Sequence, residues 1–243
     1  MPYKVLLAGA AGVIGRRLVP LLVEAGHDVF GTTRSAERAK ALEAAGVKPV
    51  IVDVFDAPAL SRTVASIRPE IVIHQLTDLP RDLPPNRMSE ASARNARIRS
   101  EGTPNLVAAA VAAGARRLIA QSIAWVYAPG PEPHQEGDPL DLQAEGSRAV
   151  TIAGVAALER STLGATALEG IVLRYGQFYG PGTGVDEPKG SAPLHVDAAA
   201  WAALLAIEKA RPGIYNVAEA NNYVATDKAR RELGWNPGFR LAG

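Results

Sequence analysis

The sequence of 243 residues contains no cysteine, which excludes disulfide cross-links and thiolate metal ligands and fits a reducing compartment. It has only four histidines; His74 and His195 are lone histidines beside apolar runs with no second ligand at metal spacing, and no metal is expected. Neither sign of charge is in surplus: Lys and Arg total 26 and Asp and Glu total 25, for a net charge of +1. A chain so balanced carries no long-range field to hold nucleic acid or an anionic membrane, and a partner must be recognised locally. No apolar run approaches the roughly 20 residues that span a bilayer, and no N-terminal stretch combines a basic start, an apolar run and a small-residue cleavage site. The expectation is a cytoplasmic protein with a small-molecule substrate and neither nucleic-acid nor membrane partners; a homodimer is the one assembly kept open. What the chain does have is a hydrophobic fraction of 47%, enough to bury one sizeable core and to exclude disorder.

The apolar positions set a repeating order. The run from Lys4 to Ala8 meets glycines and passes into VIGRRLVPLLVEAG, whose apolar residues recur at helical spacing. Strands follow at His27 to Thr33 and Lys48 to Val54, separated by the amphipathic stretch SAERAKALEAAG. Further strands are read at Ile71 to Leu76, Arg116 to Ser122 and Glu169 to Gly176, with one long helix from Arg94 to Ala113 and another from Val150 to Thr162. Pro80 to Arg87 and Ala128 to Gly146 read as surface loops, and a helix from about Asp197 to Ala210, the strand GIYNV and a helix from Thr226 to Leu233 close the chain. Strands alternating with helices predict an α/β fold: a Rossmann-type doubly wound parallel sheet with a small C-terminal substrate lobe. The expected division is a dinucleotide-binding domain over 1–175 and a reduced or partly missing lobe over 176–243.

The first strand-to-helix junction reads Gly9-Ala10-Ala11-Gly12-Val13-Ile14-Gly15, a GxxGxxG pattern. A diphosphate reaches the free N–H groups of a helix start only where the turn lacks side chains, and the last glycine lets helix and strand pack closely. Gly9, Ala11, Gly12, Val13, Ile14 and Gly15 are therefore candidate cofactor-binding residues. Specificity is read at the end of the second strand, where a carboxylate would favour the ribose hydroxyls of NAD(H) and a cation would favour a 2′-phosphate. Here the residues are Thr32, Thr33, Arg34 and Ser35. Arg34 is the expected phosphate clamp, supported by Thr33 or Ser35, which points to NADP(H) over NAD(H). The alternative is a solvated arginine at a helix start. Asp53 is either an acceptor for the adenine amino group or a helix N-cap.

Several separated segments, in order, look like signatures of one family. They are GAAGVIG, Asp53-Val54, EGTPNLVAAAVAAGARRLIAQSIAWVYAPG from Glu101 to Gly130, LRYGQFYGPG from Leu173 to Gly182, HVD from His195 to Asp197, and YNV from Tyr215 to Val217. Together they resemble the extended short-chain dehydrogenase/reductases, the NAD-dependent epimerase/dehydratase family. The resemblance implies a cleft at the strand ends in which Val54, Gln75, Leu76, Thr77, Ser122, Tyr175 and Gly176 contact the cofactor and Gln177 and Phe178 meet the substrate. It also implies catalytic candidates near Ser122, with Tyr127 as an alternative hydroxyl, and structural roles for Tyr179 and Arg174. Asn95 falls near a family asparagine that bonds backbone and orders water; the alternative is a solvated polar residue.

Two departures bear on function. Typical members follow the serine strand with Tyr-x-x-x-Lys, a pair that moves a proton at the substrate hydroxyl or carbonyl. With Glu159 aligned to the glutamate that follows the lysine, those positions hold Thr151 and Val155, and neither can do that work. The stretches that build the substrate lobe are also short here, Thr183 to Leu194 and Ala218 to Ala225: either the lobe is reduced or residues are missing around 184–191 and 218–226. Two functions follow. One is an atypical NADP(H)-dependent oxidoreductase or epimerase/dehydratase-like protein acting on a small polar or sugar-nucleotide substrate. The other is a non-catalytic NADP(H)-binding redox sensor.

Overall fold

The computed structural model describes residues 1–79 and 88–242, with Met88 described by its backbone alone. The chain runs β1 (Lys4–Ala8), α1 (Val13–Glu24), β2 (Asp28–Thr33), α2 (Ala36–Ala44), β3 (Lys48–Ile51), α3 (Ala57–Ile67) and β4 (Ile71–His74). After α4 (Met88–Arg97) a π-helical stretch, Ile98–Gly102, leads into α5 (Thr103–Ala112). Then come β5 (Arg117–Ile123), α6 (Gly146–Gly164), β6 (Glu169–Tyr175), β7 (Gln177–Tyr179), β8 (Pro193–His195), α7 (Val196–Ala206), β9 (Gly213–Val217) and α8 (Asp227–Leu233).

Seven strands form one parallel sheet in the order β3-β2-β1-β4-β5-β6-β9. The order reverses between β1 and β4, and that switch point is where an open α/β sheet leaves a crevice at its carboxyl edge. Side chains alternate across each strand, so β1 sends Val5 and Leu7 into one core and Leu6 and Ala8 into the other. The first core lies under α1, α7 and α8, with Leu42 of α2; the second lies under α3, α5 and Leu158 of α6. Burial on both faces makes these strands near-continuous apolar runs, and the doubly wound expectation holds.

Several local readings are corrected. The stretch from Arg94 to Ala113 is not one α-helix, because the π-helical turn at Ile98–Gly102 inserts an extra residue where α6 packs against it. The third strand ends at Ile51 rather than Val54, because Asp53 turns the chain by accepting from Phe55 N–H at 2.9 Å. Helix α3 has no counterpart in the periodicity reading; its signals are the N-cap Asp56, which accepts from Ala59 N–H at 3.0 Å, and Pro58 in its first turn. The N-cap alternative for Asp53 falls with it. Pro80 to Arg87 lies outside the described residues.

Beyond residue 175 the chain stays within the same architecture. Helix α7 packs on α1, and β9 completes the main sheet beside β6. Only β7 and β8, a small parallel pair not foreseen in the sequence, stand apart. Between them a turn closes with Gly180 N–H donating to Val185 O at 2.8 Å, while the Thr183 hydroxyl donates to Gly180 O.

Candidate functional site

A cleft of about 330 Å³ opens at the carboxyl ends of β1 to β4, at the switch point. Its floor is the glycine turn. Gly9 has φ of +92°, and a Cβ there would come within 2.6 Å of Gln75 O, so the residue serves both the left-handed turn and the approach of β4. Gly15 lies under the same turn, where any Cβ would collide with the carbonyls of Gly9 and Ala10. With both in place, the first turn of α1 stands open above the cleft. Its N-cap is Gly12, with no side-chain cap and no acidic residue in the first turn, whereas Ser35, Asp56 and His195 cap α2, α3 and α7 with their side chains. Unpaired N–H groups and the positive end of the helix dipole favour an anion there. Ala11 and Gly12 line the cleft, while Val13, Ile14 and Gly15 form the helix start behind it.

At the end of β2, Thr33, Arg34 and Ser35 line the cleft together with Arg38. The local chemistry explains their order. Ser35 accepts from Arg38 N–H at 3.3 Å as the N-cap of α2, and Thr33 Oγ1 accepts from Ser35 N–H at 3.2 Å. The cap fixes the helix, which places Arg34 just before it and Arg38 one turn on, both exposed. Among the described residues neither guanidinium has an acidic partner within contact. Arg38 escaped the sequence reading, although its spacing of four from Arg34 on a capped helix was the available signal. Asp53 lines the same wall with Val54, and its Oδ2 makes no bond among the described residues.

The far wall is the end of β4, and Gln75, Leu76 and Thr77 all line the cleft. His74 holds this edge. Its Nδ1 accepts from Leu76 N–H at 3.2 Å, so the ring proton sits on Nε2 and is donated to Thr103 Oγ1 at 2.9 Å. Burial, reinforced by the charge of Arg99, pushes the imidazole pKa down to about 4 and keeps the ring neutral. Asn95 is buried and accepts from Asp78 N–H at 2.7 Å, bonding backbone in the loop that follows rather than facing solvent. The Gln75 carboxamide is buried without a hydrogen-bonded partner, because the nearby Tyr175 hydroxyl donates instead to Ala199 O at 3.0 Å.

The remaining candidates sit deeper. Ser122 is fully buried and donates to Glu159 Oε1 at 2.8 Å, and Glu159 also binds Arg174. Tyr127 is buried too. Its hydroxyl donates to Asn216 Oδ1 at 2.6 Å, its ring stacks on His134, and burial raises its pKa. Neither lines the cleft. Tyr175 and Gly176 end β6 inside the fold. Gly176 has no room for a side chain against Ala192 O, and Gln177 accepts from Ala192 N–H at 3.0 Å. Phe178 tilts against Tyr175 with ring centroids 5.6 Å apart. Tyr179 donates to Glu219 and forms the edge of His195. On α6, Thr151 donates to Ser147 O at 3.1 Å and Val155 is buried, so this helix offers neither a phenol nor an ammonium group at the two positions singled out in the sequence. Among the described residues no three potential ligands gather as a metal would require, and no helix is long and apolar enough to cross a membrane.

A family model described as the NAD dependent epimerase/dehydratase family matches residues 5–200. A Streptomyces protein, 3-diazoavenalumate denitrifying reductase, is 44% identical over 239 residues, taking in 89% of this chain and 76% of its own. Among solved structures, the Bordetella bronchiseptica enzyme WbmG in complex with NAD superposes with a TM-score of 0.75 at 20% identity, over 99% of this chain and 91% of its own. The UDP-glucose 4-epimerase of Thermotoga maritima, with UDP-glucose, gives 0.77 at 18% identity over 98% and 94%. At such identities the structural likeness speaks for the fold.

Proposed function

The chain belongs to the NAD-dependent epimerase/dehydratase family, and from that membership we propose that it is a reductase that binds NADP(H) and acts on a small polar substrate. The observation that carries the cofactor half is the uncapped first turn of α1 opening onto a cleft whose β2 corner holds Arg34. The donor set fits a dinucleotide. Backbone N–H groups from Val13 to Gly15 take the diphosphate, Arg34 takes the 2′-phosphate with Thr33 and Ser35 beside it, and the free Oδ2 of Asp53 takes the adenine amino group. Val54, Leu76 and Thr77 wall the site, and Gln75 presents the carbonyl that the Gly9 turn packs against. When bound, the nicotinamide supplies hydride transfer, and the protein supplies orientation.

The chain's own residues favour reduction over epimerisation or dehydration. Oxidising a sugar hydroxyl requires a base on its proton, and α6 carries Thr151 and Val155 where that base and its lysine would stand. Ser122 and Tyr127, the other catalytic candidates, have their hydroxyls committed to Glu159 and Asn216. Reduction of an activated electrophile needs no phenolate, and the 44% identical Streptomyces relative is a reductase.

Calorimetry with NADP, NADPH, NAD and NADH tests the cofactor half. Tighter binding of the phosphorylated pair is expected, and preference for NAD(H) overturns it. NADPH consumption against an aryl diazo acid, UDP-glucose and a simple carbonyl tests the reaction. Consumption with the diazo acid or the carbonyl supports the reductase; consumption with UDP-glucose alone points back to sugar-nucleotide chemistry. Binding without any consumption favours the second reading, a redox sensor that has lost its proton-transfer pair.

A further inference from the structure

Three arginines are buried among the described residues: Arg99, Arg117 and Arg174. Two have an acid in contact. Arg117 Nη2 lies 2.6 Å from Glu169 Oε2, and Arg174 binds Glu159 at two points. Arg99 differs. It is 8% exposed, yet among the described residues no carboxylate or carbonyl accepts from its guanidinium. A cation largely withdrawn from water, with no acid against it among the described residues, is costly to keep, and a chain retains one where something outside the fold repays the cost.

Its position says where that partner would come from. Arg99 sits on the π-helical stretch Ile98–Gly102, beside Ile98, which lines the cleft. An extra residue in a helical turn re-aims the side chains around it. The guanidinium lies near enough to His74, at the end of β4, to reinforce the effect of burial on that ring, and near enough to Glu159 of α6 to feel its charge. Glu159 is already spent on Ser122 and Arg174. Arg99 thus adds a second buried cation at the ends of β4 to β6, where Glu159 already serves Arg174. This is the side of the switch point opposite Arg34, so it is separate from the proposed 2′-phosphate corner.

We propose that Arg99 recognises a carboxylate of the substrate, its fork completing the ion pair that the fold leaves open. The inference rests on the reading of the strand-end cleft as a cofactor and substrate site. A planar guanidinium suits a carboxylate because two parallel N–H donors meet its two oxygens, and a neutral amide cannot replace that contact.

The test uses the full chain with saturating NADPH and, as probe, cinnamate beside the isosteric cinnamamide, with UDP as a third arm. Cinnamate should bind about tenfold or more tightly than cinnamamide, the effect of one charge-assisted contact. Arg99→Met should erase that preference while leaving the NADPH-induced thermal shift in place, and Arg99→Lys should keep part of it. Without ligand, Arg99→Met should melt at or above the wild-type temperature, because an unpaired buried charge has been removed. A clearly lower melting temperature makes Arg99 a structural cation and overturns the proposal. So does cinnamate binding no better than cinnamamide, including no binding of either. A UDP affinity that depends on Arg99 while cinnamate affinity does not reassigns the anion to a diphosphate. Loss of the NADPH shift in the wild type strikes the cofactor reading instead, which keeps the two failures apart.

Discussion

Arg174 and Glu159 form a two-point ion pair, Nε to Oε1 at 2.9 Å and Nη2 to Oε2 at 2.7 Å, with both side chains nearly sealed from water. The pair is set by sheet register. Ser122 and Arg174 are direct neighbours across β5 and β6, so both project toward α6, and Glu159 descends from that helix between them. Burial alone would lower the Arg174 pKa, but pairing with Glu159 outweighs it, so the net effect raises the pKa and the group stays charged.

Breaking the pair from one side should be expensive. Glu159→Gln leaves the Arg174 guanidinium buried without its counter-charge, and the expected loss is about 3 to 5 kcal/mol in urea-induced unfolding. A loss below about 1 kcal/mol would mean that water or another acid reaches Arg174.

Ser122→Ala separates a structural hydroxyl from a catalytic one. Removing the bond to Glu159 should cost about 1 kcal/mol of stability, since Arg174 still satisfies the carboxylate. With the hydroxyl so engaged, turnover should fall by less than about tenfold. A drop of about a hundredfold or more at unchanged stability would instead give Ser122 a proton-transfer role.

Arg34→Glu should weaken NADPH by roughly ten- to a hundredfold and leave NADH nearly unchanged, because one charge-assisted phosphate contact is worth about 1.5 to 3 kcal/mol. Arg38→Glu should act in the same direction with a smaller effect, as its guanidinium is reached from one turn further along α2. Paired titrations of both cofactors check the choice, and equal affinities before and after would remove Arg34 from the site.

Acid should destabilise the fold through His74. Its pKa is held down to about 4, below the ordinary 6.5, so between those values the unfolded chain binds more protons than the folded one. The contribution of the neutral ring is complete above pH 6.5 and is lost as the pH falls toward 4, amounting to about 3 kcal/mol. Unfolding free energies measured across that window should slope accordingly, and His74→Gln should flatten the slope. An unchanged slope in the variant would show that another group titrates.

Gly15→Ala should disturb both packing and binding. A methyl group there strikes the Gly9 and Ala10 carbonyls, so the cradle must shift, at a cost of about 1 to 3 kcal/mol. NADPH affinity should fall with it. Gly137→Ala, at an open position of ordinary backbone, is the control and should change neither quantity.

The alternation of the main strands and helices, though not α3 or the β7–β8 pair, the glycine turn and the place of Arg34 at the start of α2 were legible in the sequence, because each rests on residues within one turn or one alternation of each other. The assignment of Gln75, Leu76 and Thr77 to the cleft wall came from family resemblance, and the structure lines the cleft with all three. Local reading failed where the partner is distant. Glu159 meets Ser122 across 37 residues, and Tyr127 meets Asn216 across 89, so hydroxyls that read as catalytic candidates are held by bonds that no window of sequence contains. The π-helical turn is likewise a compromise with α6, invisible to periodicity. Local propensity determined which segments became strand, turn and helix; only packing decided which polar groups found partners and left Arg99 without an acid against it among the described residues, since burial and pairing belong to the assembled layers.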